Sequence, residues 1–196
     1  MDEMVLRAME KWPNVPAVFG WLRLDRRGRW WIRNELLSNP VMIDFIGRNY
    51  LADAFGRYYF QNGPQKVFVE LEATPWIYSL TPSSNAQMSV FTDQTGVQAL
   101  PEAAGIDDEG ALYLLCEGRI GVVDERDLIQ VIELMTDANG RKTDDLQLAS
   151  WMDGNQSVSL LLVLADDRRL PLQRLSRQNL PSVYGYQLRP SEISAD

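Results

Sequence analysis

Two five-residue turn motifs recur in the same order at nearly the same spacing, and this repetition constrains the fold more than any other feature of the chain. Leu24-Asp25-Arg26-Arg27-Gly28 is answered by Ile106-Asp107-Asp108-Glu109-Gly110, with the two aspartates 82 positions apart. Asp53-Ala54-Phe55-Gly56-Arg57 is answered by Asp137-Ala138-Asn139-Gly140-Arg141, 84 positions apart. Each motif alone is ordinary turn or helix-exit chemistry, because Asp accepts from nearby backbone N–H groups and Gly tolerates positive φ. Recurring in one order, they point to two halves built on one plan. The alternative is two unrelated halves that both use common turns.

The elements between the turns repeat too. Val18 to Leu24 reads as a strand, Asp25 to Gly28 as a turn, and Arg29 to Arg33 as the returning strand of a hairpin. Asn39-Pro40 is an N-cap followed by proline at the first helical position. Val41, Ile43, Phe45, Ile46, Tyr50 and Leu51 give a helix of about 12 residues an apolar stripe, ended by Asp53 to Arg57. Strands follow at Tyr58 to Gln61 and Lys66 to Glu72, then a short one at Trp76 to Leu80. In the second half Ala111 to Cys116 answers the first hairpin, and Ile120 to Val123 reads as a strand the first half lacks. Asp124 caps a helix striped by Leu128, Val131, Ile132 and Met135, which the second Asp-Ala-x-Gly-Arg motif ends. Val158 to Leu164 and Leu170 to Leu175 close the half. Residues 3 to 12 predict an amphipathic helix stopped by Pro13 and Pro16. Thr81-Pro82-Ser83-Ser84-Asn85 is the expected connection, Gln87 to Phe91 an additional strand, and Pro190 to Asp196 a frayed acidic tail. The expectation is an α+β protein of two modules, 1–82 and 83–196, each a curled, mainly antiparallel sheet packed around one helix.

Composition narrows the chemistry. The 196 residues include no histidine, which removes Ser-His-Asp and Cys-His nucleophile activation and His-ligated metals. A general base would have to be a retuned carboxylate or one of Lys11, Lys66 and Lys142. The lone Cys116 can form no intramolecular disulfide and reads as an inert core thiol. Phosphate-loop and dinucleotide fingerprints are absent, so no cofactor is expected. Acidic clusters such as Asp107-Asp108-Glu109 and Asp124-Glu125 lack the spacing of a calcium loop and read as caps and turns, so no metal is expected either. No apolar run approaches the roughly 18 residues of a membrane helix. The acidic start Met1-Asp2-Glu3-Met4 does not resemble a secretory signal. The default expectation is a cytoplasmic location.

Charge is unevenly shared. Residues 1–82 carry ten basic and nine acidic groups, while residues 83–196 carry nine and eighteen. Within the first module Arg23, Arg26, Arg27, Arg29 and Arg33 interleave with Trp21, Trp30 and Trp31. Strand alternation places Trp21 and Arg23 on one face with Arg29, Trp31 and Arg33, opposite Leu22, Leu24, Trp30 and Ile32. Trp21, Arg23, Arg26, Arg27, Arg29, Trp31 and Arg33 are therefore the candidate interaction residues. Three readings of this face stand. It is a solvated sheet face with guanidinium stacked on indole. It docks a protein, since Arg and Trp dominate interface energetics. Or it binds a small anionic ligand or single-stranded nucleic acid, against which the net charge of −8 counts.

Leu24-Asp25-Arg26-Arg27-Gly28-Arg29-Trp30, the helix after Asn39-Pro40, Gly56-Arg57-Tyr58-Tyr59, Lys66-Val67 and the Thr74-Pro75-Trp76 exit carry a resemblance. The span Phe19 to Leu80 is similar to an uncharacterised bacterial family, number twelve eighty-five among the domains of unknown function. That resemblance implies two related modules in which a sheet curls around a helix, and a loosely suggested signalling or regulatory role. None of the shared motifs is catalytic. The leading functional expectation is a non-enzymatic binding or regulatory module acting on an unknown protein or small anionic ligand. The alternatives are an enzyme using carboxylates or arginine in a groove between the modules, and a single-stranded nucleic-acid adaptor.

Overall fold

Asp followed three residues later by Gly builds the same hairpin loop at five places along the chain. At Asp25, Asp53, Asp93, Asp107 and Asp137 the fourth residue's N–H donates to the Asp carbonyl, and the Asp N–H donates to the fifth residue's carbonyl. One carboxylate oxygen accepts from the N–H groups of the third and fifth residues in each case. The glycines take φ between +72° and +85°, the left-handed bulge position that follows a type I turn. The structure, a computed structural model, describes residues 1–82 and 89–192.

The elements run α1 (Glu3–Lys11), β1 (Val18–Leu24), β2 (Trp30–Ile32), β3 (Glu35–Leu36), α2 (Pro40–Arg48), β4 (Tyr50–Ala52), β5 (Tyr58–Asn62), β6 (Gln65–Leu71), β7 (Trp76–Pro82), β8 (Ser89–Asp93) and β9 (Gln98–Ala99). They continue with β10 (Pro101–Asp107), β11 (Leu112–Cys116), β12 (Arg119–Val123), α3 (Leu128–Ile132), β13 (Met135–Asp137), α4 (Asp145–Met152), β14 (Leu160–Val163), β15 (Arg169–Leu175) and α5 (Leu180–Tyr184). The chain forms two compact units, Met1–Pro75 with Pro181–Asp196, and Trp76–Leu180.

The first unit holds a sheet ordered β3-β2-β1-β6-β5-β4, antiparallel except where β1 meets β6. Asn39 caps α2 by accepting from the Val41 and Met42 N–H groups, with Pro40 at the first turn. Ile46 is the fully covered residue of that helix, and Phe45 meets Phe60 edge-on at 5.4 Å. The opposite face carries Phe19 stacked on Phe68 at 4.5 Å, beside Tyr59.

The second unit repeats the order as β12-β11-β10-β15-β14-β13, again antiparallel except for β10 against β15. Pairing registers align the repeats: Leu22↔Val69 corresponds to Ala104↔Leu172, and Tyr50↔Phe60 to Met135↔Leu162. The α+β architecture of two repeated sheet-and-helix modules with a short N-terminal helix is therefore as expected. The second sheet gains β7, β8 and β9 beyond β12. Tyr78, Phe91 and Ala99 from these strands join one core cluster with Leu114, Leu162, Val131 and Trp151.

Several expectations are corrected. The strand at Ile120 to Val123 has a first-half counterpart, the two-residue β3, too short to show as a periodic pattern. The Asp-Ala-x-Gly-Arg motifs close strands β4 and β13, so Tyr50, Leu51 and Met135 are strand residues and both helices stop earlier. The unit boundary falls at Pro75 rather than 82, because β7 pairs in parallel with β12 and buries Tyr78 in the second core. The C-terminal segment belongs to the first unit. The Leu71 N–H donates to the Leu188 carbonyl, Arg57 Nη1 donates to the Ser191 carbonyl, and Pro190 is buried. A Cβ at Gly56 would lie 1.9 Å from the Gly185 carbonyl oxygen. Residues 83–88 and 193–196, including most of the expected connection and part of the acidic tail, lie outside the described residues. No helix among the described residues is long and apolar enough to cross a membrane.

Candidate functional site

The arginine–tryptophan hairpin divides into two groups. Asp25, almost fully buried, accepts from the Arg27 and Arg29 N–H groups through Oδ1, and from Arg29 Nε (2.7 Å) and Trp31 Nε1 (2.8 Å) through Oδ2. Arg23 lies directly across from Trp31 in the β1–β2 pairing, its guanidinium 4.8 Å from the indole, with Arg29 at 5.5 Å. Arg23 also pairs with Glu72, whose second oxygen accepts from the Arg26 N–H. Arg23, Arg29 and Trp31 are thus joined in one network with Asp25 and Glu72, and Arg26 and Arg27 fill the middle of the turn.

Trp21 and Arg33 are elsewhere. The pairing of β1 with β6 shifts register between Val18 and Leu22, with Gly20 at φ +71°. Trp21, 48% exposed, borders the same space as Leu22 and Ile32. Arg33 occupies the two-residue loop between β2 and β3 at φ +55°, donates its N–H to the Trp21 carbonyl at 2.7 Å, and sets its guanidinium 3.8 Å from the Trp21 ring. The candidate residues thus fall into two contact groups, the network around Asp25 and the Trp21–Arg33 pair.

The space that Trp21 borders is an open cavity of about 500 Å³ between the sheet and α2. Val18 and Leu22 of β1, Ile32 of β2, Met42 and Ile46 of α2, Phe60 of β5 and Val67 of β6 make its walls apolar. The Asn62 and Gln65 amides stand at the β5–β6 end. No carboxylate among the described residues lines it. Its size is that of a small-molecule site. Sequence reasoning found Leu22 and Ile32 as inward-facing but took Ile32 for core; it is 41% exposed.

The repeat explains the opening. Ile32 corresponds to Leu114, which is 0% exposed, and Val18, Asn62 and Gln65 correspond to Leu100, Leu164 and Arg168. Those three second-unit residues line a cavity of only about 200 Å³, narrowed by Phe91 of β8 and Ala99 of β9. The first sheet stops at β3, so nothing in it takes the place of β8 and β9.

The buried carboxylates behave as structural groups. Burial raises the Asp25 carboxyl, but hydrogen bonds from Trp31, Arg29 and Arg27 outweigh it and hold the pKa below the usual value. Asp107, the repeat counterpart, is raised by burial and lowered further by donors: the Ala111 N–H (2.8 Å), Arg177 Nε (2.7 Å), the Tyr113 hydroxyl (2.9 Å) and the Glu109 N–H. Trp31 and Tyr113 are also 82 positions apart and make the same ring-to-aspartate bond, a third repeat signal that sequence reasoning missed. Burial and the Asp107 charge push the Tyr113 hydroxyl up to about 12, and burial pushes the Cys116 thiol up to about 11, consistent with an inert thiol. No group of three or more potential metal-ligating His, Cys, Asp or Glu residues occurs among the described residues.

The profile of a family described as "Protein of unknown function (DUF2946)" matches residues 1–191. A solved structure of a DUF1285 family protein from Silicibacter pomeroyi DSS-3 is similar at a TM-score of 0.52 and 16% identity, over 92% of this chain and 98% of that one. A DUF1285 family protein from Shewanella baltica OS155 is similar at a TM-score of 0.40 and 14% identity, over 57% of this chain and 89% of that one. No curated protein matches the chain. The resemblance carried by the first-half motifs is thus matched by a shared fold that extends through both halves.

Proposed function

The chain belongs to the family described as "Protein of unknown function (DUF2946)", and from that premise we propose that it is a non-enzymatic binding module holding a small ligand in the cavity of its first unit. The carrying observation is the contrast between repeats. One plan leaves a cavity of about 200 Å³ beside Phe91 and Ala99 in the second unit, and in the first a larger apolar space of about 500 Å³ behind a half-exposed Ile32. A well-formed apolar pocket with a few polar groups at its edge is the usual form of a ligand site.

The competing readings find less support. An enzyme working through carboxylates needs one with a raised pKa beside its substrate. Asp25 and Asp107 are saturated with donors, their pKa values are lowered, and neither lines the cavity. A nucleic-acid adaptor needs arginines available to phosphate, yet Arg23 and Arg29 already face Glu72 and Asp25.

A neutral, polarity-sensitive dye such as Nile red tests the reading. The native chain should bind it with a blue-shifted emission, and Ile32→Trp, which fills the cavity from a half-exposed position, should abolish binding while far-ultraviolet circular dichroism stays unchanged. Undiminished dye binding by the folded variant would refute the proposed site.

A further inference from the structure

Resting on that cavity as the binding site, we infer that its ligand is a small anionic amphiphile, its apolar body against Leu22, Ile32, Ile46 and Phe60 and its negatively charged head at Arg33. The carrying juxtaposition is an apolar cavity with an uncompensated guanidinium stacked on the tryptophan at its edge.

Arg33 differs from the other hairpin arginines in what it faces. Arg23 has Glu72 and Arg29 has Asp25, whereas Arg33, among the described residues, has no ion pair and rests on the Trp21 ring alone. That ring fixes the flat guanidinium without using its N–H donors, so they stay available to a carboxylate, sulfate or phosphate group. Trp21 itself lines the cavity, which places the cation next to the apolar space.

The repeat shows that this cation is not required by the turn. The β11–β12 hairpin runs two residues further, so that Leu115 aligns with Arg33, and its loop begins with Glu117, also at positive φ (+51°), which pairs with Arg119. Both loops open with a residue at positive φ, an acid paired with Arg119 in the unit with the smaller cavity and, in the unit with the larger one, a cation with no ion pair among the described residues. A neutral apolar ligand would leave the guanidinium unused. An anionic head would meet it in a charge-assisted hydrogen bond, stronger than a neutral one. The cavity walls hold no carboxylate that would repel such a head.

The test is isothermal titration calorimetry of the full chain with decanoate, octanoate and the neutral analogue decanol. Decanoate should bind about three- to tenfold more tightly than decanol, as expected for one charge-assisted contact at an exposed rim. Octanoate should be roughly tenfold weaker than decanoate for two fewer buried methylenes. Arg33→Gln should erase the decanoate advantage and leave decanol affinity unchanged, and Arg33→Lys should restore part of it. Equal affinity for decanoate and decanol in the native chain, or equal weakening of both in Arg33→Gln, would overturn the assignment of the head group while leaving the cavity reading standing. Failure of both ligands to bind would sink the cavity reading as well. Binding of a peptide spanning Ser89–Ala99 but of neither aliphatic ligand would overturn the amphiphile in favour of a polypeptide occupant.

Discussion

Ile32→Ala and Leu114→Ala remove the same three side-chain carbons from equivalent positions of the two repeats. At about 0.8 kcal/mol per buried carbon, the transfer contribution of a fully buried site is about 2.4 kcal/mol. Leu114 is 0% exposed inside the second core, so a cavity contribution adds to it, giving a total loss of about 4 kcal/mol, inside the usual range for such truncations. Ile32 is 41% exposed and already borders an open space. Only about three-fifths of the transfer contribution applies and little new cavity forms, leaving about 1.4 kcal/mol. Peptide-resolved hydrogen exchange of the full chain across a urea series reads the two units separately. The expected result is a loss roughly three times larger in the second unit for Leu114→Ala than in the first for Ile32→Ala. Equal losses would mean that Ile32 is packed as tightly as Leu114, and the reasoning for an open first-unit cavity would be refuted.

Other outcomes follow from the same contacts. Asp25 and Asp107 have folded pKa values below their unfolded value of about 3.9. Their stabilisation is therefore complete above that value and is lost as pH falls through the folded values; urea midpoints should drop below about pH 4, and less steeply in Asp107→Asn. Tyr113 titrates oppositely: its folded pKa, raised to about 12, gives stability that is full below about 10 and lost as pH rises from there toward 12, a limb that Tyr113→Phe should flatten. Trp31→Phe removes the Nε1 donor to buried Asp25 and should lower stability by about 1.5–3 kcal/mol in urea unfolding. Gly121→Ala would place a Cβ 2.4 Å from Tyr78 Cε2 and 2.7 Å from the Trp76 carbonyl oxygen, and should cost about 1–3 kcal/mol and loosen β7 from β12 in hydrogen exchange.

The duplicated plan was legible because its turns rest on local chemistry: an aspartate that bonds the next few N–H groups and a glycine at positive φ leave a mark at fixed spacing. The same chemistry shapes Asp93-Gln94-Thr95-Gly96, which has no partner in the first half and so leaves no repeat signal. Helix α4 also carried a signal, since Asp144 and Gln147 form a capping box. The cavity was not legible. It arises from pairings distant in sequence, from β3 stopping after two residues, and from β8 and β9 entering only one repeat. Alternation correctly turned Ile32 inward; what failed to follow from sequence is that nothing covers it.

The most direct test of the account is methyl nuclear magnetic resonance of the full chain during a decanol titration, with assigned Ile, Leu, Val and Met methyl groups. Saturable shifts should appear at Ile32, Ile46, Met42 and Val67, while Leu114, Leu162, Val131 and Leu170 of the second-unit core stay still. Shifts of equal size in both repeats, or confined to the second, would contradict the claim that the larger cavity of the first unit is the ligand site.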